Sequence, residues 1–393
     1  MNIIEYKSAK GEYMKNLVVL YGGTSCERDI SVLTGVQAAA AADKKRYCVY
    51  PVFWSAGDRF YVPDKYGDLE RYAKSEYDGG REVVFYKDTL CYVKKNKLKP
   101  LCKVDCVLVC THGGRGENGA LQGYFQTLGI PYTSPDVLAC AVGMDKDIFK
   151  AVCKKLSLPL LPYVTARESE DRGAVVKKAS KLGYPLIVKP ASQGSSIGIN
   201  VCKDEKELEE ALDTAYEYDD KAVIEKALDD FREINCACVK IGGEILPSTL
   251  EEPVVWRDFL SFEDKYMSGK KGGSDRKVRD FPAQLDEKTG CEIQNMTSKV
   301  YAALALKGIV RCDYLIDRAS GKVYFNEINT IPGSLAGYLY TDKGLTLKEI
   351  ITEVVEECIS TKRGAKEKGY SSGVLQYYAK GGSNACKSGA KKV

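Results

Sequence analysis

Residues 184–202 read YPLIVKPASQGSSIGINVC. An apolar strand ends at Lys189, a loop of glycine and serine follows, and a second strand closes the segment. Lysine supplies a point charge, and glycines let backbone N–H groups approach oxyanions closely, so the combination suits a polyphosphate. An ordinary hairpin loop with a solvated lysine fits the same letters equally well. The segment needs company before it decides anything.

Company is found on both sides. Downstream, GIVRCDYLID and KVYFNEIN read as strands, and residues two apart on a strand share a face. Arg311 therefore shares a side with Asp313, and Glu327 with Asn329. If the strands are antiparallel neighbours, Asp313, Glu327 and Asn329 converge into an oxygen-only cluster of the kind Mg²⁺ prefers beside substrate phosphates. A charged, solvated sheet face is the plainer alternative; apolar neighbours at Val310, Ile316, Val323 and Phe325 favour the metal. Upstream, Lys146 offers a second cation, and the strand VIEKAL carries Glu225 and Lys226. Each of these three, taken alone, reads as a surface charge. The chain has no G-x-x-x-x-G-K-[ST], and its GGTSCERD turn is not G-x-G-x-x-G.

Strands and helices alternate through most of the 393 residues, which indicates α/β layers and two to three domains. KNLVVLYGG and VDCVLVCTHGG are buried strands, RFYVP and EVVFYKDTLCYVKKNKL hairpin strands, and CACVKIGGEILPST a further strand. The 28% charged content balances 58 Lys+Arg against 54 Asp+Glu, a net +4 that gives no reason to expect nucleic acid or an anionic membrane. No apolar run is long enough to span a bilayer, and the N-terminus lacks a signal-peptide core, so the expectation is a cytoplasmic protein. Fifteen cysteines are scattered through apolar runs without a CxxC pair, which reads as reduced, buried thiols. The single histidine, His112, must carry any imidazole chemistry.

Taken in order, GGTSCERDIS, THGGRGENGALQG, MDK, VKPASQGSSIG, VIEKAL, REINCAC, EDKY, RCD and NEINTIPG resemble the D-alanine–D-alanine ligases of the ATP-grasp superfamily, from about Leu17 to Ile359. The resemblance implies an N-terminal open parallel α/β domain (15–142) and two α+β domains (143–227 and 228–362) clamping ATP. An extension (1–14), a mobile loop near 262–281 and a Gly/Ser/Lys-rich tail (363–393) complete the division. It further implies that Glu27 holds the amino group of the first D-alanine, networked with Ser195 and Tyr266, and that His112 lies beside that substrate. Lys146, Lys189, Lys265 and Ser196 would bind phosphates; Glu225, Lys226 and Leu228 would frame the adenine, and Glu233 the ribose. Asp313, Glu327 and Asn329 would carry two Mg²⁺, with Mn²⁺ as a substitute, while Arg311 and the Gly333 backbone stabilise an oxyanion. The implied product is D-alanyl-D-alanine for peptidoglycan, made by a homodimer.

Two departures bear on the substrate. Glu233 follows Glu225 by eight residues, one more than the usual spacing. After Gly333 the family's threonine, histidine and serine give way to Leu335, Gly337 and Tyr338. The serine at the last position holds the carboxylate of the second D-alanine, so Tyr338 alters that pocket and makes D-serine the alternative acceptor. Tyr266, by contrast, goes with an amino-acid acceptor and disfavours D-lactate. A non-catalytic nucleotide-binding paralogue is the remaining alternative.

Overall fold

The computed structural model describes residues 14–74, 80–95, 97–253, 279–361 and 373–379. Its first sheet grows from β1 (Lys15–Gly22), whose last six residues are all buried. Chain order then gives β2 (Tyr47–Trp54), β3 (Phe60–Val62), β4 (Arg81–Tyr86), β5 (Thr89–Lys94), β6 (Lys97–Lys103) and β7 (Cys106–Val109). In space the order is β6-β5-β4-β3-β2-β1-β7. Only β2, β1 and β7 run parallel; β3 to β6 meander antiparallel. The sheet is therefore mixed rather than parallel throughout, because turns as short as Lys87-Asp88 cannot return a strand in parallel. The long helix Arg28–Ala41 supplies the crossover where the sheet is parallel.

The second sheet contains β8 (Tyr163–Arg167), β9 (Leu186–Pro190), β10 (Asn200–Cys202) and β11 (Lys221–Lys226), in the order β10-β9-β11-β8 and antiparallel throughout. Leu186, Val188 and Ile224 from its strands and Val175, Leu208 and Leu212 from the helices Arg172–Ser180 and Glu205–Tyr216 form a separate core. Asp171 and Asp204 cap those helices by accepting from Ala174 N–H and Glu207 N–H, which satisfies otherwise orphaned donors.

The third sheet follows directly from β11. It comprises β12 (Phe231–Ile241) and β13 (Glu244–Pro247). Past the short pair β14 (Glu252–Pro253) and β15 (Arg279–Asp280), β16 (Val310–Asp317) and β17 (Val323–Asn329) complete it, in the order β13-β12-β16-β17. CACVKIGGEILP is thus a hairpin rather than one strand. It reverses at Gly242-Gly243, both with positive φ, which glycine adopts without a Cβ penalty. Alternation sorts the two faces. Ile234, Cys236, Val310, Cys312 and Tyr314 pack against the helix Glu287–Ala303, leaving Asn235, Arg311, Asp313, Glu327 and Asn329 on the other side.

The core of the first sheet continues into Leu335–Tyr340 and the helix Leu347–Thr361, so the first and third units share apolar packing. Lys15 pairs with Glu356, which also accepts from Tyr47 Oη at 2.7 Å. Eleven of the fourteen described cysteines are buried, all fourteen as free thiols. No helix among the described residues is long and apolar enough to cross a membrane.

Candidate active site

Glu27 lies at the start of the helix Arg28–Ala41, at the end of the turn that leaves β1. Its carboxylate is enclosed by two glycines: a Cβ on Gly113 would stand 2.2 Å from Glu27 Oε2, and one on Gly194 3.1 Å. Ser195 Oγ donates to Glu27 Oε1, joining the glycine-serine loop to the first unit. Ser195 and Ser196 both hold left-handed backbone, φ 53° and 60°, a conformation that costs non-glycine residues energy and turns the loop back on itself. Ser192 N–H and Oγ and Gln193 Nε2 pin the loop's base to Asp219 and the Tyr218 carbonyl.

Around that bond the chain leaves a cleft lined by residues including Glu27, Lys146, Ser195, Glu327 and Asn329. Lys146 begins the helix Lys146–Lys155, capped by Asp145, and its ammonium donates to the Gln193 carbonyl at the foot of the loop. Burial lowers its pKa, an effect the Glu327 charge opposes. Lys189 Nζ is held at 3.1 Å by both Glu225 Oε2 and Asn326 Oδ1. Glu225 also pairs with the buried Lys150 at 2.7 Å. Burial resists the Glu225 charge, but Lys189 and Lys150 outweigh it and hold the pKa at about 2.

On the third sheet Asp313 faces Glu327 and Arg311 faces Asn329 across β16 and β17. Arg311 grips Asp313 with two hydrogen bonds, 2.7 and 2.8 Å, and Asn329 Nδ2 donates to Asp313 Oδ2 at 2.9 Å. The three oxygen-bearing residues predicted to converge do so, beside Lys146 and Lys189.

His112 is buried and holds the carbonyl of Ile331 at 2.7 Å through Nδ1, while Nε2 meets Thr34 Oγ1 at 2.9 Å. The Ile331 carbonyl can only accept, so the proton is on Nδ1; burial keeps the ring neutral, so Nε2 accepts from the Thr34 hydroxyl, whose oxygen in turn accepts from Ser334 N–H. Burial, against the Ile331 hydrogen bond and with Arg311 nearby, sets its pKa at about 4. The histidine thus fastens the Ile331–Ser334 turn to the first unit. Glu117 does the same from the other side, accepting from Thr330 Oγ1, Ile331 N–H and Gly113 N–H at 2.9–3.0 Å. Its pKa is raised to about 7 by burial and by the Glu27 charge.

Other predicted residues stand elsewhere. Lys226 turns its ammonium onto the carbonyls of Gly183 and Tyr184, 3.1 and 2.7 Å away, and Glu225 gives its side chain to lysines, so an adenine contact there would fall to backbone groups. Leu228 occupies the short link from β11 to β12, and Glu233 lies on β12 opposite Leu315. Gly333 opens the segment in which Ser334, Leu335 and Ala336 are all left-handed. Tyr338 Oη donates to Glu251 Oε2 at 2.7 Å, and Arg279 pairs with Glu251 Oε1 at 3.2 Å while stacking over the tyrosine ring. Burial, then Glu251, raises the Tyr338 pKa. Lys265 and Tyr266 lie outside the described residues, as do 1–13 and most of the proposed loop and tail.

The family descriptions "D-ala D-ala ligase N-terminus" and "D-ala D-ala ligase C-terminus" match residues 16–135 and 152–356. A protein of Thermosipho africanus named D-alanine–D-alanine ligase is 32% identical over 363 residues, covering 91% of this chain and 97% of its own. One of the same name from Lactococcus lactis is 32% identical over 349 residues, with 87% and 95% covered. The solved D-alanine–D-alanine ligase of Helicobacter pylori superimposes with TM-score 0.70 at 30% identity, covering 86% of this chain and 99% of that one. The D-Ala:D-Ser ligase VanG of Enterococcus faecalis shares the fold, with TM-score 0.72 at 24% identity over 87% and 99%. Fold and cleft together define an ATP-grasp ligase. The chain belongs to the D-alanine–D-alanine ligase family.

Proposed function

We propose that the chain joins two D-alanines at the expense of ATP, through an acylphosphate, to supply D-alanyl-D-alanine for peptidoglycan in the cytoplasm. The observation that supports this most is the Ser195–Glu27 hydrogen bond, which closes one side of a cleft lined by Lys146 and by Glu327 and Asn329 of the third sheet. In this reading the chain divides at 142/143 and 227/228, residues 1–14 and 363–393 lie outside the catalytic body, and the working form is a homodimer.

The steps follow from the residues. Glu27 binds the ammonium of the first D-alanine, with His112 behind the site. Lys146, Lys189 and, from the loop, Lys265 with Ser196 neutralise the phosphates; Leu228, Lys226 and the Glu225 backbone frame the adenine, and Glu233 the ribose. Asp313, Glu327 and the Asn329 carbonyl, an all-oxygen set whose Asn329 N–H is already donated to Asp313, fit Mg²⁺. Bound there, the metal would draw charge from the phosphates during transfer. The donor carboxylate attacks the γ-phosphorus, ADP leaves, and the acylphosphate carbonyl becomes open to the second amine. Arg311 and the Gly333 N–H then meet the oxyanion in a site preorganised for it. Closure with Tyr266 excludes water that would hydrolyse the intermediate.

The test is ATP- and Mg²⁺-dependent phosphate release with D-alanine alone, with the product identified by mass. D-alanyl-D-alanine is expected. Turnover that requires added D-serine would assign the acceptor differently, the reading favoured by Tyr338 in place of the family's serine. ATP binding without any turnover would mark a non-catalytic paralogue.

A further inference from the structure

One row of side chains crosses the third sheet at a single register: Glu251, Asn235, Asp313 and Glu327. Its first step is fixed by backbone bonds, Asn235 N–H to the Glu251 carbonyl at 2.8 Å and Glu251 N–H to the Asn235 carbonyl at 3.1 Å. Cross-strand partners point to the same side, about 4.5–5.5 Å apart between Cβ atoms. Leu250 on one side of Glu251, and Ile234 and Cys236 flanking Asn235, belong to the opposite, apolar face, which confirms the direction of the row.

The two ends of the row differ. Asp313 and Glu327 belong to the end assigned above to metal and phosphate. Glu251 is buried at the other end, and its carboxylate takes the Tyr338 hydroxyl and the Arg279 guanidinium. Between them stands Asn235, 5% exposed, with an amide oxygen that has no hydrogen-bond partner. A buried carbonyl oxygen left this way is costly unless a water or a ligand brings it a donor.

Two amino acids enter the proposed reaction, each bearing an ammonium, and Glu27 accounts for one. Tyr338 has its proton committed to Glu251, so it cannot donate to the carboxylate of a second amino acid as the family's serine does. Its neighbour Arg279 can. Building on the ligase reading, we propose that Asn235 Oδ1 and the Glu251 carboxylate bind the ammonium of the acceptor amino acid, with Arg279 receiving its carboxylate. Once the ammonium has passed one proton to the Glu251 carboxylate, the row presents the amine toward the acyl carbon at the Asp313 end, where the C–N bond forms and phosphate leaves.

The experiment measures KM for both amino-acid sites and for ATP in the full chain and in Asn235→Ala, Asn235→Ser and Glu251→Gln. Alongside, D-alanine-dependent ¹⁸O scrambling within ATP reports acylphosphate formation alone. A hydrogen bond to a charged group is expected to shift the acceptor KM about tenfold or more. Asn235→Ala should do so with the ATP KM and the scrambling retained, and Asn235→Ser, which restores an oxygen, should recover part of the loss. Glu251→Gln, which keeps an acceptor for Tyr338, should raise the same KM and stands in if Asn235→Ala does not fold. An unchanged acceptor KM, or a rise in the ATP KM instead, would overturn the assignment. Wild-type chain without scrambling would bring down the ligase reading itself, a separate and visible failure.

Discussion

His112 and Glu117 grip the same Thr330–Ser334 turn yet titrate in opposite senses. The His112 pKa falls from 6.5 to about 4 on folding, so the neutral ring's contribution is complete above pH 6.5 and is lost as pH falls to 4. The Glu117 pKa rises from 4.5 to about 7, so its ionisation costs stability progressively as pH climbs through that window. Each shift is worth about 3 kcal/mol, and in the native chain they largely offset. Relative to wild type, Glu117→Gln should therefore gain stability toward pH 7, whereas His112→Asn should be most deficient near neutral pH and gain on wild type toward pH 4.5. Denaturant melts at stepped pH check this, and curves parallel to wild type would refute it. Glu225 gives a second test. Its folded pKa of about 2 means stability present above pH 4.5 that fades as pH falls to 2. Glu225→Gln, stranding Lys150 and Lys189, should cost about 3–5 kcal/mol at neutral pH and flatten that acid limb, read by the same melts. Lys189, Asp313, Glu327 and Asn329 were legible because each stands in a strand beside apolar letters. Glu117, Lys150, Asn235 and Glu251 were not, since a lone polar residue reads as surface until its cross-strand or cross-loop partner is known.

The elements show the same boundary between local and distant information. The strands β16 and β17 and the shared faces of their residues followed from period-two patterning, as did the strand–loop–strand of residues 184–202, but the antiparallel pairing of β16 with β17 was a condition that only the structure met. The hairpin at Gly242-Gly243 was missed because apolar letters continue through it on both sides. The left-handed run Ser334-Leu335-Ala336 has no glycine to announce it; burial of Leu335 and Ala336 and the Thr34 hydrogen bond to Ser334 hold it in place. The loop between β9 and β10 is the element on which closure turns. Ser195→Ala removes its bond to Glu27 without touching any core, so melting should barely move while kcat/KM for the first D-alanine falls about tenfold or more. Gly113→Ala is harsher. Its Cβ would stand 2.2 Å from Glu27 Oε2 at φ +63°, and activity should be lost even where the fold survives. Circular dichroism together with the product assay separates those effects.

At the scale of the molecule, the second sheet is the part built to move. The first and third units share apolar packing through Leu335–Tyr340 and the helix Leu347–Thr361, whereas the second has a core of its own. It reaches the rest through polar contacts, Ser195 to Glu27 and Lys189 to Asn326 among them. Polar, water-accessible junctions open at lower cost than packed apolar ones, so closure over ATP should be a rigid shift of β8–β11 against a fixed remainder. ATP with Mg²⁺ at a hundred times Kd stabilises the closed form by about 2.7 kcal/mol through mass action. Hydrogen exchange should then slow in the loop from Ala191 to Ile199 and along β9 and β11, while β1 and β7 stay as they were. In Ser195→Ala the ligand should still raise the melting temperature, but protection of the loop should be much reduced, because nothing fastens it to Glu27. Protection that spreads evenly over all three sheets would mean the molecule tightens as one body, and the hinge assigned to the second sheet would be wrong.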